Sequence, residues 1–253
     1  MTFKLLLSRL QIAVLMIGLA AAATGCKNDD PTDTSATVTT DDAADAVAAS
    51  LSADASGVST QTADAAAVAS GSVPAAKGES VQADTTVTKT RSNNNGVSSY
   101  SYSLTYTYTQ NGAAQPSMNF GYTATGQYSL PRVSSNDNST AAWTLTALNA
   151  ASLSAAAEIK VDGSYTRNGS QTSKVRSLNS FTSAISYNLT DVVVNRVSRT
   201  LKSGTMVVSI SGSTTGGQAF SYNGTITINS SVSATLVLNG VTYNINITTG
   251  TVA

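Results

Sequence analysis

Any chemistry done by this chain has to be done without histidine and with one cysteine, Cys26. That excludes a Ser-His-Asp or Cys-His triad, a His-ligated metal, a Cys-rich zinc site and a disulfide framework. Beyond residue 96 the carboxylates are Asp137, Glu158, Asp162 and Asp191. Glu158 and Asp162 fall four positions apart on one face of a predicted strand, roughly 13 Å along it, whereas glycosidase pairs stand about 5 to 9.5 Å apart. With Lys160 between them they read as an exposed charge ladder. There is no nucleophile elbow and no phosphate-binding glycine loop, and Gly216-Gly217 reads as a turn. The expectation is a protein that is not an enzyme and carries no cofactor or metal.

Two groupings offer binding chemistry instead. Tyr100, Tyr102, Tyr106 and Tyr108 form a stripe whose rings suit sugar stacking, although strict alternation turns them toward a core. Lys174, Arg176, Arg196, Arg199 and Lys202 concentrate positive charge that suits anionic lipid headgroups or acidic polysaccharide. Ordinary surface charge at strand ends accounts for the cluster equally simply. With Lys+Arg 14 against Asp+Glu 14, the overall balance gives no case for nucleic acid.

The elements that must hold these residues are strands. Tyr100, Tyr102, Leu104, Tyr106 and Tyr108 alternate with serine and threonine, the period-two signature of a strand with one packed and one wet face. Similar alternation recurs to the C-terminus. The expected turns are Asn111-Gly112, Asn168-Gly169, Lys202-Ser203-Gly204, Gly216-Gly217 and Asn239-Gly240, with a bulge at Gly126. Roughly eight to ten antiparallel strands result, an all-β meander with no room for parallel crossovers. Such a meander closes into a barrel, folds into a sandwich, or curves over a docked helix.

Residues 27–96 differ in kind. They hold no aromatic residue, and ten acids outnumber the four bases Lys27, Lys77, Lys89 and Arg91. In residues 97–253 eight bases outnumber four acids. Few large apolar groups and one dominant charge favour disorder. Two alanine-rich runs, Asp41–Leu51 and Thr62–Ser70, read as one or two short helices that persist only if docked.

The opening residues carry Lys4 and Arg9, an apolar run from Leu10 to Ala20, small residues, and then Cys26: the three parts of an export signal followed by a cysteine. Ala23-Thr24-Gly25-Cys26 resembles the bacterial lipobox, in which the cysteine is acylated and becomes the mature N-terminus. Ala23 stands where that motif usually has a larger aliphatic residue. Lys27-Asn28-Asp29-Asp30-Pro31-Thr32-Asp33 resembles the acidic signal of Bacteroidota-type surface lipoproteins, and Asp84-Thr85-Thr86 resembles the O-glycosylation site of that group. The resemblance implies a palmitate-type anchor at Cys26 and an outer-membrane location at the cell surface, with the lipid chains as the membrane contact.

The expected organisation is therefore a signal peptide over 1–25, a lipidated and partly disordered tether over 26–96, and an antiparallel β domain over 97–253. The expected role is a displayed non-catalytic domain that binds a polysaccharide or lipid ligand or serves the envelope structurally. The alternative is a periplasm-facing, lipocalin-like carrier whose cavity holds an apolar ligand.

Overall fold

A computed structural model describes residues 37–71, 85–111, 116–176 and 180–253. The signal segment, Cys26, the acidic run after it, and Gly112 of the expected Asn111-Gly112 turn lie outside the described residues. Helix α1 (Thr40–Leu51), a 3₁₀ turn (Ala53–Ala55) and helix α2 (Val58–Ala69) come first. The strands follow: β1 (Thr85–Asn94), β2 (Ser99–Asn111), β3 (Ser117–Ser129), β4 (Val133–Leu148), β5 (Glu158–Ser173), β6 (Ser180–Asn195), β7 (Thr200–Thr214), β8 (Ala219–Ile228), β9 (Ser233–Leu238) and β10 (Val241–Asn246).

All ten strands form one antiparallel sheet in sequential order. The edge strands β1 and β10 do not pair with each other, so the sheet is an open curve and not a closed barrel. The free side of β10 is partly covered by the last residues of the chain, through the Ile245–Val252 bridge and the paired Asn244 and Ala253 backbones. Burial alternates along most of the strands; β4, for example, buries Val133, Ser135, Asp137, Ser139, Ala141, Trp143 and Leu145. Period-two burial means the sheet has one face to cover.

The helices cover it. In α1 every residue from Asp42 to Leu51 is buried, and in α2 the buried set includes Val58, Ala65, Ala66 and Val68. Their apolar side chains share one hydrophobic cluster with Leu104, Tyr122, Trp143, Tyr165, Ile185, Ile210 and Leu236. A helix buried all round has no polar face to spare. Alanine is the residue that makes this possible: its lone methyl lets the helix backbone approach the sheet while long aromatic side chains fill the intervening space. A capping box starts α1, with Thr39 Oγ1 accepting from the Asp42 N–H at 3.2 Å and Asp42 accepting from the Thr39 N–H at 3.1 Å. Such caps contribute about 0.5–2 kcal/mol. The reversal into α2 is tight, and a Cβ on Gly57 would stand 2.3 Å from the Ser50 carbonyl oxygen.

The composition boundary at Val97 is thus earlier in the fold. Residues 40–69 are core and 85–94 are an edge strand, and Ser35–Ala253 form one compact unit. Disorder was expected of the segment for its few large apolar groups and dominant charge, with the alanine-rich runs helical only if docked; here they dock, and the sheet supplies the missing apolar surface.

Among the expected turns, Asn239-Gly240 is a two-residue hairpin with φ of 49° and 82°, the left-handed pair that a type I′ turn requires. Asn168-Gly169 does not turn: it lies within β5, opposite Asn138 and Asp137. Lys202-Ser203-Gly204 also stays within a strand, β7. The chain reverses earlier, at Arg196–Arg199, where the Asn195 side chain accepts from the N–H groups of Val197 and Ser198 at 3.0 and 2.9 Å. Gly126 keeps regular pairing, while the register shifts fall at Val161/Gly163, Thr190/Val193 and Val193/Val194.

Ala48 is fully buried between helix and sheet. Ala48→Leu is expected to destabilise the fold by about 1–3 kcal/mol through overpacking, read as a lower urea midpoint with an unchanged slope.

Candidate functional site

The tyrosine stripe is turned inward. Tyr102 and Tyr106 are 3% and 1% exposed, and Tyr100 and Tyr108 are half-buried against the same core. The phenol tips do specific work there. Tyr106 donates to Asp64 of α2 at 2.6 Å. Tyr187 donates to the Val47 carbonyl of α1 at 2.8 Å, Tyr222 to the Val38 carbonyl at 2.7 Å, and Tyr243 to Asp41 at 2.7 Å. Of the residues that read as a sugar platform in sequence, Tyr106 therefore holds α2 and Tyr102 donates to Asp137 of β4.

The basic cluster separates into two groups at opposite ends of the sheet. Lys174 follows β5; its ammonium donates to Ser129 Oγ and the Leu130 carbonyl, both at 2.7 Å. Arg176 joins Arg132 in clasping Asp45 of α1, with Arg132 Nε at 2.7 Å from the carboxylate. At the other end, Arg196 donates to the Ala156 carbonyl, Lys202 pairs with Glu158, and Arg199 sits at the exposed β6–β7 tip with φ 56°. The expected charge ladder is present in altered form: Lys160 lies 3.1 Å from both Asp162 and Asp191.

Sequence reasoning missed the buried polar centre. Asp137 on β4 and Arg167 on β5 are 6% and 1% exposed, with Arg167 Nε 3.1 Å from Asp137 Oδ2. Tyr102 donates to Asp137 Oδ1 at 2.9 Å, and Arg167 donates to Tyr102 and, at 3.0 Å, to the Ala55 carbonyl in the 3₁₀ turn. The guanidinium also lies 4.6 Å from the Tyr128 ring centre. Burial works against the charged guanidinium, but Asp137 and the surrounding phenols raise the Arg167 pKa well above its ordinary value. Gly169 makes room for the centre, since a Cβ there would come within 2.5 Å of the Asp137 Cβ. The sequence signal was parity: both charges occupy the inward register of otherwise apolar strands. The pair ties β4, β5, β2 and the 3₁₀ turn together and is sealed from solvent.

The outward face is different. Across β1 to β8 the row Thr88, Thr105, Thr123, Thr140, Thr166, Ser186, Ser209 and Asn223 lies in continuous register. Several of its hydroxyls bond one another, Thr88 to Thr105 at 3.1 Å, Thr140 to Thr166 at 2.8 Å and Ser186 to Ser209 at 2.7 Å. Nearer one end of the strands lies an open groove of about 720 Å³. Two registered rows line it: Ser92, Ser101, Gln127, Asn136 and Ser170, and beside them Asn94, Ser99, Ser129, Ser134 and Thr172. Between the rows run Asn93, Tyr100, Tyr128 and Ser135. No residue lining the groove is charged. A second open hollow of about 600 Å³ lies toward the other end, with Asn119, Gly121, Thr144 and Asp162 among its lining residues.

Among the described residues no group of three or more His, Cys, Asp or Glu side chains is arranged to hold a metal ion. Comparisons with protein-family models, curated proteins and solved structures return no match for this chain.

Breaking the buried pair leaves a charge uncompensated in a dry interior. Arg167→Met is expected to cost about 3–5 kcal/mol in urea unfolding, and adding Asp137→Leu should recover part of that loss. The tyrosines give an independent check. Burial raises the pKa of Tyr102, Tyr106, Tyr122, Tyr128, Tyr165 and Tyr187 above the ordinary 10.0, and burial with the Asp41 hydrogen bond pushes Tyr243 up to about 12. Groups whose pKa is higher folded than unfolded contribute stability that is complete below pH 10 and declines as pH rises beyond it. Absorbance at 295 nm should show these phenols ionising only together with loss of the fold.

Proposed function

We propose that the chain is an exported lipoprotein, acylated at Cys26 and held at the outer membrane, where it presents a non-catalytic β domain outward from the cell. The observation that carries this reading is the occupied interior. A lipocalin-like carrier needs an apolar cavity on the concave side of its sheet, and here α1 and α2 of the same chain take that space. What remains available to a partner is the outward, hydroxylated face.

Two further features support it. The carboxylates of the β domain are engaged in ion pairs, Asp137 with Arg167, Glu158 with Lys202, and Asp162 and Asp191 with Lys160, which fits display better than acid–base catalysis. Docking of residues 40–69 also shortens the leash. Residues 27–39 separate the cysteine from α1, and at full extension they reach about 45 Å. The domain would therefore stand close to the membrane, anchored by lipid chains rather than by any surface of its own.

Protease shaving of intact cells tests the outward orientation: the domain should be lost from whole cells without lysis, and its survival would favour a periplasmic position. Cys26→Ala should release the protein from the membrane fraction, and mass spectrometry of the mature product should find an acylated N-terminal cysteine. Retention of the variant in the membrane, or an unacylated product, would overturn the anchoring.

A further inference from the structure

The outward face holds two kinds of polar surface. In the threonine row the hydroxyls are largely satisfied by each other across strands. In the groove they are not: among the described residues, the side chains of Ser101, Gln127, Asn136 and Ser170 have no hydrogen-bond partner within the protein. All four are exposed. The groove is thus a line of free hydroxyl and amide groups, one per strand, running across β2 to β5.

We infer that this groove binds a neutral polysaccharide, which gives the displayed domain of the preceding proposal its ligand class and rests on that reading. Three observations select the chemistry. The first is charge: the lining is wholly uncharged, and the nearby Lys174 is already bonded to Ser129 and the Leu130 carbonyl, as Arg132 is to Asp45. An acidic polymer would meet no cation among the described residues lining the groove, while a neutral one loses nothing by the lack of charge. The second is composition. Protein interfaces concentrate their energy in buried aromatic and arginine anchors, and the outward rows of the groove present serine, threonine, asparagine and glutamine only. Sugar hydroxyls, each both donor and acceptor, match such groups.

The third observation is periodicity. Adjacent strands lie about 4.8 Å apart, so the row from Ser92 through Ser101, Gln127 and Asn136 to Ser170 repeats an equivalent hydrogen-bonding group at that interval. That spacing is close to the length of one pyranose ring. A glycan chain lying across the strands meets a similar group at each successive residue. Individually weak contacts then add along the polymer, which favours a long chain over a free monosaccharide.

Affinity electrophoresis of the full chain carrying Cys26→Ser, in native gels containing a neutral β-glucan, a neutral mannan or dextran, with polygalacturonate as the acidic comparison, tests this. Retardation is expected in at least one neutral gel. The double variant Gln127→Ala/Asn136→Ala should weaken that retardation at least tenfold, while Asn188→Ala/Thr225→Ala, on the same face outside the groove, should leave it unchanged. Thermal melts report whether the variants fold, and Ser101→Arg, which fills the groove from an exposed position, serves if the double variant does not. Migration unaffected by every neutral polymer, retardation equal in the groove variants, or retardation by polygalacturonate alone would overturn the assignment. Concentration-dependent self-association lost in the groove variants would also overturn it, in favour of a second copy as the occupant. None of these outcomes bears on acylation or shaving, so failure here is distinguishable from failure of the display reading.

Discussion

An open sheet with one apolar face cannot stand in water uncovered, and covering that face from within the same chain is the constraint on which this molecule depends. The sheet is long, with strands of up to 16 residues in β4, β5 and β6, and its inward residues are large. Two short helices of mostly small residues lie against it. The pairing is complementary in volume: alanine methyls on the helices, aromatic rings on the strands. Apolar burial is the driving term, since each buried CH₂ is worth about 0.8 kcal/mol and the helices alone are too short to persist.

Polar contacts then determine how the helices sit. Asp45 meets Arg132 and Arg176 at one end of the sheet, and Asp64 meets Arg91 at 2.6 Å and accepts from Tyr106. Phenols from β2, β6, β8 and β10 reach four separate points on the helical segment and the residues leading into it. A face lined only with aliphatic groups would let alanine helices slide or rotate at little cost. The tyrosines and the acidic residues remove that freedom, because each shifted register would leave a buried donor or carboxylate unpaired. The opposite charges of the N-terminal segment and the β region thereby acquire a structural meaning, as the two sides of an internal interface.

The same arrangement separates interior from exterior function. Large and reactive-looking groups, the tyrosines, the Asp137–Arg167 pair and most carboxylates, are committed inward or to one another. Apart from the ion pairs of Lys160 and Lys202 near one end, the outward face is left largely with short uncharged side chains in register. A domain built this way has its stability and its recognition surface on opposite sides of a single layer of strands. Changes to the exposed hydroxyl rows therefore touch little of the packing.

Much of this was legible in the amino-acid sequence. Period-two alternation from Tyr100 onward identified the antiparallel meander, because side chains on a strand must alternate faces, and Asn239-Gly240 identified its hairpin, because few other residue pairs accept two positive φ angles. The two alanine runs identified helices. Asp137 and Arg167 were missed: they occupy inward positions of their strands, but they are 30 positions apart and meet only because β4 and β5 pair in one register. The tertiary structure decided what long-range contact alone can decide. It made the alanine segment core instead of tether, kept Asn168-Gly169 within a strand, aimed the tyrosines at helices, and aligned serines and amides from separate strands into one groove. Local propensity acts over a few residues, whereas burial and register are properties of surfaces that the chain brings together only by folding.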